Sequence, residues 1–387
     1  MNSVSVIVCT HLVERFPLLC AALDSLHHQT RKPDRIVVVV DGDHALLERL
    51  RKRAGEERVL FTGGRTGLSN ARNIGIAALG SDFVAFLDDD AVAEPRWLES
   101  LLAVAVGDRS VLGVGGRTVP AWEGDPPAWF PSELLWTVGC SHEGLPTERE
   151  AVRNVFGGCA LFRRQLFDEV GGFDDRLGRK ARGAGGCEET EFCIRAQTRP
   201  SGGVFIYEPA AVIHHRVHGD RRSPIYVLKR CREEGRSKAA LRAITRDAAK
   251  ARPAVGRSRR RPALGPELDY LLRVLPRGVS NGLRDAAHGR SDGLGRAALL
   301  LIGSAVTVLG FLGATFHGPV PIGPPVVLTD EIGDAAYPAN DDRRPGNPAN
   351  HVRGAAGLGS KRPGGHDLPY SRQIASRSTG SPGREKP

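Results

Sequence analysis

Three consecutive aspartates, Asp88-Asp89-Asp90, follow directly on the apolar run Phe83-Val-Ala-Phe-Leu87. Neighbouring carboxylates repel one another, which raises their proton affinity unless a cation or a set of donors compensates. In an extended chain Asp88 and Asp90 point to one side and Asp89 to the other, so the first and third can share one divalent ion. Hard oxygen ligands favour Mg2+ or Mn2+, and a carboxylate pair with open coordination positions suits a metal that also holds a diphosphate. The plainer alternative is a solvated acidic turn ahead of a helix beginning near Pro95. A second acidic group, Glu188-Glu189-Thr190-Glu191, lies much further along. In its plain reading this group is an exposed first helical turn, where the helix dipole favours negative charge.

Elements that position these groups are legible around them. Val4–Cys9 and Ile36–Val40 are short β-branched runs without polar alternation, the pattern of strands buried on both faces. Phe16, Leu19, Leu23 and Leu26 recur between them at helical spacing. A helix over 45–53, a strand over 59–62, a helix over 68–79 and a strand over 83–87 complete a β-α-β-α-β-α-β order. That alternation predicts an α/β fold with a mostly parallel sheet flanked by helices. Ligands of such sheets gather at the carboxyl ends of strands, which here carry Thr10-His11, Asp41-Gly42-Asp43, Gly63-Gly64-Arg65 and the aspartate triplet. A dinucleotide fold would place Gly-x-Gly-x-x-Gly after the first strand; Cys-Thr-His-Leu-Val-Glu stands there instead, against an oxidoreductase. Gly113-Val-Gly115-Gly116 lacks a third glycine and a following helix, and reads as a strand with close backbone approach.

With 387 residues the chain can hold a large core plus appendages, which excludes a wholly disordered or disulfide-stapled protein. The seven cysteines form no Cys-x-x-Cys pair and read as buried thiols of a reducing compartment. No secretory signal is visible at the start, so the catalytic part is expected to face the cytoplasm. The +10 charge is local: residues 216–296 hold 21 Lys and Arg against 8 Asp and Glu, which leaves the rest slightly acidic. Such a stretch meets nucleic acid or an anionic membrane. Membrane is favoured, because Ala297–Phe316 is a run of 20 uncharged residues, just long enough to cross a hydrocarbon core. Its glycines and hydroxyls leave open an interfacial or protein-packed helix. Nucleic acid is unlikely, since no aromatic-studded strand or zinc spacing accompanies the arginines. Residues 331–387 hold 16 Gly and Pro and read as a disordered tail.

Several segments together resemble the family 2 glycosyltransferases of the GT-A fold. They are Val-Ser-Val-Ile-Val-Cys-Thr10, Gln29-Thr30-x-x-Pro33-Asp34-x-Ile36-Val-Val-Val-Val-Asp41, Gly67-Leu-Ser-x-Ala71-Arg72-Asn73-x-Gly75 and Phe86-Leu-Asp-Asp-Asp90 in the first half. Asn154-Val-Phe-Gly157-Gly158-Cys-Ala-Leu-Phe, Phe167-x-x-Val170-Gly-Gly-Phe173-Asp174, Cys187-Glu188-Glu189-Thr190-Glu191-Phe192 and Pro209-Ala210-x-Val212-x-His214 follow in the second. The match covers residues 3–216, in family order.

The resemblance implies a metal-dependent, inverting transfer from a nucleoside diphosphate sugar, with UDP or GDP, to a hydroxyl. Asp41, Thr10, Arg72, Asn73, Asp88 and Asp89 would bind the donor; Asp90, Asp88 and His214 would hold Mg2+ or Mn2+, with His215 the alternative to His214. The family usually carries Glu-Asp at the base position. Here Glu188-Glu189 stands there, so the base falls on Glu189, with Glu188 beside it and Glu191 as a second candidate. Arg195 is expected to anchor the helix. Gly157, Gly158, Trp129 and Trp136 are expected at the acceptor, indole faces being suited to sugar rings or acyl chains. Such an acceptor would be a glycan or lipid-linked saccharide of the cell envelope, met at the inner face of the membrane. The resulting organisation is a transferase domain over 1–220, divided near 118 into a nucleotide-sugar half and an acceptor half. A basic helical extension follows over 221–296, then an apolar helix over 297–316 and a tail over 317–387. A nucleotidyltransferase of similar sheet would want a Gly-rich, Lys-bearing loop after the first strand. A degenerate glycan-binding relative would not keep Asp41, Asp90 and Glu189 together.

Overall fold

A computed structural model describes residues 2–53, 55–63, 66–179, 185–251 and 264–316. Gly64 and Arg65, part of the basic extension, and the whole 317–387 segment, with its expected disorder, lie outside the described residues.

The chain alternates as the apolar periodicity predicts: β1 (Val4–Thr10), α1 (Phe16–His27), β2 (Arg35–Val40), α2 (His44–Arg51), β3 (Arg58–Phe61), α3 (Leu68–Ala77) and β4 (Phe83–Asp88). The second half runs β5 (Ala91–Ala93), α4 (Trp97–Gly107), β6 (Val111–Trp122), β7 (Glu150–Val152), β8 (Cys159–Arg163), α5 (Arg164–Val170), α6 (Glu188–Gln197) and β9 (Val204–Val217). All nine strands form one sheet in the order β3-β2-β1-β4-β8-β6-β9-β5, with β7 paired to β9. The β3-β2-β1-β4 side is parallel. Beyond it, β8 runs antiparallel to β4 and β6, and β5 and β7 antiparallel to β9, while β6 and β9 are parallel. The sheet as a whole is therefore mixed. Helical crossovers give parallel neighbours throughout the first half, where strand and helix alternate, and again between β6 and β9.

Absence of polar alternation in β1 and β2 has a direct cause. Val6, Val8, Val38 and Val40 pack on one face with α1, α2 and α4, whereas Ile7, Val37 and Val39 pack on the other with α3, α5 and α6. Each strand thus feeds two cores. Gly116 in β6 meets the Ala211 carbonyl so closely that a Cβ would stand 2.2 Å from its oxygen, the close backbone approach expected of that glycine cluster.

After β9 come α7 (Pro224–Ala251), α8 (Gly265–Asp269), a wider π-type turn (Tyr270–Val274), α9 (Leu275–Ala287) and α10 (Asp292–Phe316). Helix α10 packs along α7 backbone to backbone: a Cβ on Gly235 would lie 2.0 Å from the Thr307 carbonyl oxygen, and one on Gly310 would lie 2.4 Å from that of Arg232. Only glycine permits this approach. Gly310, one of the glycines that weaken a membrane-spanning signal in sequence, thus serves helix–helix contact. Leu301, Ile302, Leu309, Leu312 and Phe316 on α10 remain exposed.

Candidate active site

The carboxyl ends of β1 and β4 are adjacent in register, with Cys9 opposite Asp88. Strand β4 ends at Asp88, and the next two residues turn inward. Asp88 is half-buried and faces a cavity of about 900 Å3. Asp89 and Asp90 are almost fully buried. Asp89 accepts from Arg15 Nη1 at 2.7 Å, and the same nitrogen is 3.3 Å from Asp90. Burial pushes Asp89 up to about 6 against the pull of Arg15. Asp90 lies far below the ordinary carboxylate range: burial opposes ionisation, but His215 and Arg15 outweigh it. Asp89, in the turn after β4, is taken up by the ion pair with Arg15 and does not line the cavity.

His215, 2% exposed, places Nε2 3.1 Å from Asp90 Oδ1. Despite burial, that carboxylate raises the imidazole to about 10. One ligand atom each from Asp88, Asp90 and His215 can be chosen so that all lie within 4.8 Å of one another. His214 turns the other way and meets Glu94 Oε1 at 2.9 Å. The expectation of His214 at this cluster is therefore corrected to His215. Successive side chains on a strand take opposite faces, so a one-residue error in register exchanges the inward histidine for the outward one. Two carboxylates and an imidazole form a donor set of the kind that holds a divalent cation.

The other wall comes from the N-terminus of α6. Cys187 precedes it with φ 72°, a left-handed conformation that a non-glycine residue adopts only under constraint. It turns Glu188 and Glu189 toward the cavity, which both line. Glu188 accepts from Arg72 Nη1 at 3.0 Å, and Arg72 Nη2 stands 3.9 Å from Asp88. Arg72 is buried with its guanidinium 5.6 Å from the ring centroids of both Phe86 and Phe173. It therefore joins the acidic ends of β4 and α6. Burial, and then the adjacent Glu189, push Glu188 up to about 8. Glu189 Oε1 accepts the Gly157 N–H at 3.3 Å, and its buried Oε2 has no partner. Gly157 and Gly158 pass between the walls. A Cβ on Gly157 would lie 2.7 Å from Arg72 Nη1, and one on Gly158 only 2.1 Å from Asp88 Oδ2.

Three further expectations change. Asn73 is buried and exchanges two hydrogen bonds with the Phe173 backbone, each 2.8 Å, so its amide fastens α3 to the second half of the chain. Glu191 is held by Arg195 through two 2.8 Å contacts, and Arg195 also donates to the Gly172 carbonyl. This ion pair locks α6, and Glu191 does not line the cavity. Trp129 packs beside Phe130 in the cluster under α7 and α10, whereas Trp136 does line the cavity. Asp41 accepts from Thr62 Oγ1 at 3.0 Å and the Gly67 N–H at 2.8 Å, and Thr10 is buried at the end of β1. Arg15 and Arg221, the latter 3.7 Å from Asp90, were not singled out in the sequence. Arg15 lies in the loop after β1, where a wider reading of strand ends would have found it; Arg221 has no comparable signal.

A mixed sheet with a carboxylate at a strand end, Asp88, sharing one cavity with the paired glutamates Glu188 and Glu189 is an arrangement suited to a group-transfer enzyme. Residues 5–171 match the model of Glycosyl transferase family 2. The chain is 34% identical over 241 residues to the glucosyl-dolichyl phosphate glucuronosyltransferase of Haloferax volcanii, covering 62% of this chain and 77% of that protein. It is 30% identical over 250 residues to the succinoglycan biosynthesis protein ExoM of Rhizobium meliloti, covering 60% and 73%. A solved mannosyltransferase from Pyrobaculum calidifontis, in complex with GDP-Man and Mn2+, shares the fold with a TM-score of 0.50 and 18% identity, over 80% of this chain and 87% of that one. The protein belongs to the family 2 glycosyltransferases and has the GT-A fold.

Proposed function

We propose that this enzyme is a metal-dependent, inverting glycosyltransferase that moves a sugar from a nucleoside diphosphate donor, with UDP or GDP, to a hydroxyl of a lipid-linked saccharide. The observation that carries this reading is that Asp88 and Glu189 line one cavity from opposite elements, with Gly157 and Gly158 between them. Asp88, Asp90 and His215 would hold the cation, which when bound neutralises a departing diphosphate. Their ligand atoms are close enough for this, and Asp90 is ionised.

Asp41 and Thr10, at the ends of β2 and β1, are assigned to the nucleoside. Arg72 keeps positive charge beside Asp88. Glu189 is the base: its free buried oxygen faces the attacking hydroxyl and takes its proton as the oxygen bonds to the anomeric carbon and the diphosphate leaves from the other side. Glu188 is already committed to Arg72 and has a raised proton affinity, which makes it the weaker candidate.

An acceptor with a lipid tail is supported by the cavity's far wall, which includes Leu271, Val274, Val308 and Phe311 from the C-terminal helices. One helix, Asp292–Phe316, is long and apolar enough to cross a membrane. Its close packing on α7 favours an interfacial position, with Leu301, Ile302, Leu309 and Phe316 meeting lipid and the basic side chains of α7 meeting anionic head groups. The relatives named for glucosyl-dolichyl phosphate and for succinoglycan biosynthesis support a saccharide acceptor, and the exposed apolar face of α10 supports work at a membrane surface.

A thermal-shift series with UDP- and GDP-sugars, with and without Mn2+, tests the donor. Stabilisation that requires both nucleotide and metal is expected; none with either nucleotide would overturn the reading.

A further inference from the structure

Beyond the reacting carboxylates, the cavity wall carries an ion cluster that the transfer reaction does not use. Arg153, with a side chain 10% exposed, donates from Nη1 and Nη2 to both oxygens of Glu267 at 2.6 and 2.8 Å. Lys238 of α7, 14% exposed, contacts Glu267 Oε1 at 2.8 Å and Glu234 Oε1 at 3.1 Å. All four residues line the 900 Å3 cavity, as does Arg230. Burial alone would lower the Lys238 ammonium, but Cys187, Glu234 and Glu267 hold it above the ordinary lysine range. Burial also opposes ionisation of Glu267, yet Lys238 and Arg153 bring it down to about 2.

The position of this cluster gives it chemical meaning. It adjoins the turn that leads into α6: Cys187 Sγ is 3.9 Å from Glu234, and the Gly186 N–H donates to Ser237 of α7. On its other side the wall turns apolar, through Leu268 and Leu271 next to Glu267 in sequence, with Val308 and Phe311 of α10. The one cavity wall thus carries the α6 carboxylates, this cation pair and apolar side chains of the C-terminal helices. A planar guanidinium fork and an ammonium, both withdrawn from water, match the oxygens of a phosphate at least as well as those of a carboxylate.

We propose that Arg153 and Lys238 form the binding site for the phosphate of a lipid-phosphate acceptor, and that Glu267 occupies this site when the acceptor is absent. This deepens the reading of the cavity as an acceptor site and rests on it. The acceptor class that fits is a saccharide joined to lipid through phosphate: the sugar hydroxyl meets Glu189, the phosphate displaces the Glu267 carboxylate from the two cations, and the tail follows Leu271, Val308 and Phe311.

The test uses the full chain in neutral-detergent micelles, titrated calorimetrically with dodecyl phosphate, dodecanol and inorganic phosphate, with Mn2+-dependent nucleotide binding measured alongside. Dodecyl phosphate is expected to bind, to lose at least about tenfold in affinity in Arg153→Gln and in Lys238→Ala, and to bind more tightly in Glu267→Gln, where the competing carboxylate is gone. Equal affinity in wild type and all three variants would overturn the site, as would weaker binding in Glu267→Gln with an unchanged melting temperature. Loss of affinity for phosphatidylglycerol vesicles in Lys238→Ala, with no binding of dodecyl phosphate, would assign the cations to bulk head groups and also overturn it. Nucleotide binding reports on the donor reading separately: its failure with dodecyl phosphate binding intact would reject the donor assignment alone.

Discussion

Gly158 stands against Asp88 so tightly that a methyl group on it would sit 2.1 Å from the carboxylate oxygen. The backbone at the start of β8 therefore sets the position of the acidic side chain at the end of β4, and the Asp88 N–H donates back to the Gly158 carbonyl at 3.3 Å. Gly158→Ala should push the carboxylate out of place and lower transfer by about 10²-fold, the cost of roughly an ångström of misplacement. Steady-state kinetics beside a thermal melt checks this; full activity in a folded variant would contradict it.

Replacement of the two histidines separates cation binding from neighbourhood. His215→Ala should weaken Mn2+-dependent nucleotide binding by about tenfold or more, because His215 contacts Asp90. His214→Ala, which loses only a contact with Glu94, should leave it unchanged. Calorimetry with UDP or GDP, with and without Mn2+, distinguishes the two; the reverse ranking would return the role to His214.

Glu189→Gln should keep donor affinity and lose transfer by about 10²-fold or more, since the amide cannot take a proton. Glu191→Gln should instead lower the melting temperature, because it breaks the pair with Arg195 that locks α6. Retained turnover in Glu189→Gln would move the base elsewhere.

Glu188 carries a pH signature of stability. Its ordinary value of 4.5 rises to about 8 in the fold. Between those values the folded state binds more protons than the unfolded chain, so its contribution to stability falls as pH rises. Urea unfolding between pH 5.5 and 8 should show Glu188→Gln gaining on wild type as pH increases, by at most about 1.4 kcal/mol per pH unit. A flat difference would show that Arg72 keeps Glu188 ionised throughout.

The exposed face of α10 predicts lipid association. Leu309→Lys combined with Phe316→Lys should reduce co-sedimentation with anionic vesicles while the fold is kept, because both side chains are largely exposed. Undiminished pelleting would exclude this face. Removal of α10 is a poorer test, since Thr307, Val308 and Phe311 form part of the cavity wall.

Much of the fold was legible because it is local. Runs such as Ile36–Val40 and helical spacing such as Leu19-Leu23-Leu26 report which surfaces are buried, and burial dominates element formation. The antiparallel half was not, since β8 and β9 are separated from their partners by long connections whose direction no periodicity records. Within the site, Asp88, Glu188, Glu189, Gly157 and Gly158 reached the cavity as expected, while Asn73, Glu191 and Trp129 proved to be fastening or packing groups.

By its residue order alone this chain determined which chemical groups are present and which strand or helix end carries each, because those follow from short-range periodicity. Only the tertiary structure decided which of two adjacent histidines faces Asp90, that Glu188 pairs with Arg72 and Glu191 with Arg195, and that Arg153, Lys238 and Glu267 meet at all. Such choices depend on strand register and on contacts between residues far apart in sequence, where a shift of one position or a single ion pair reverses the outcome.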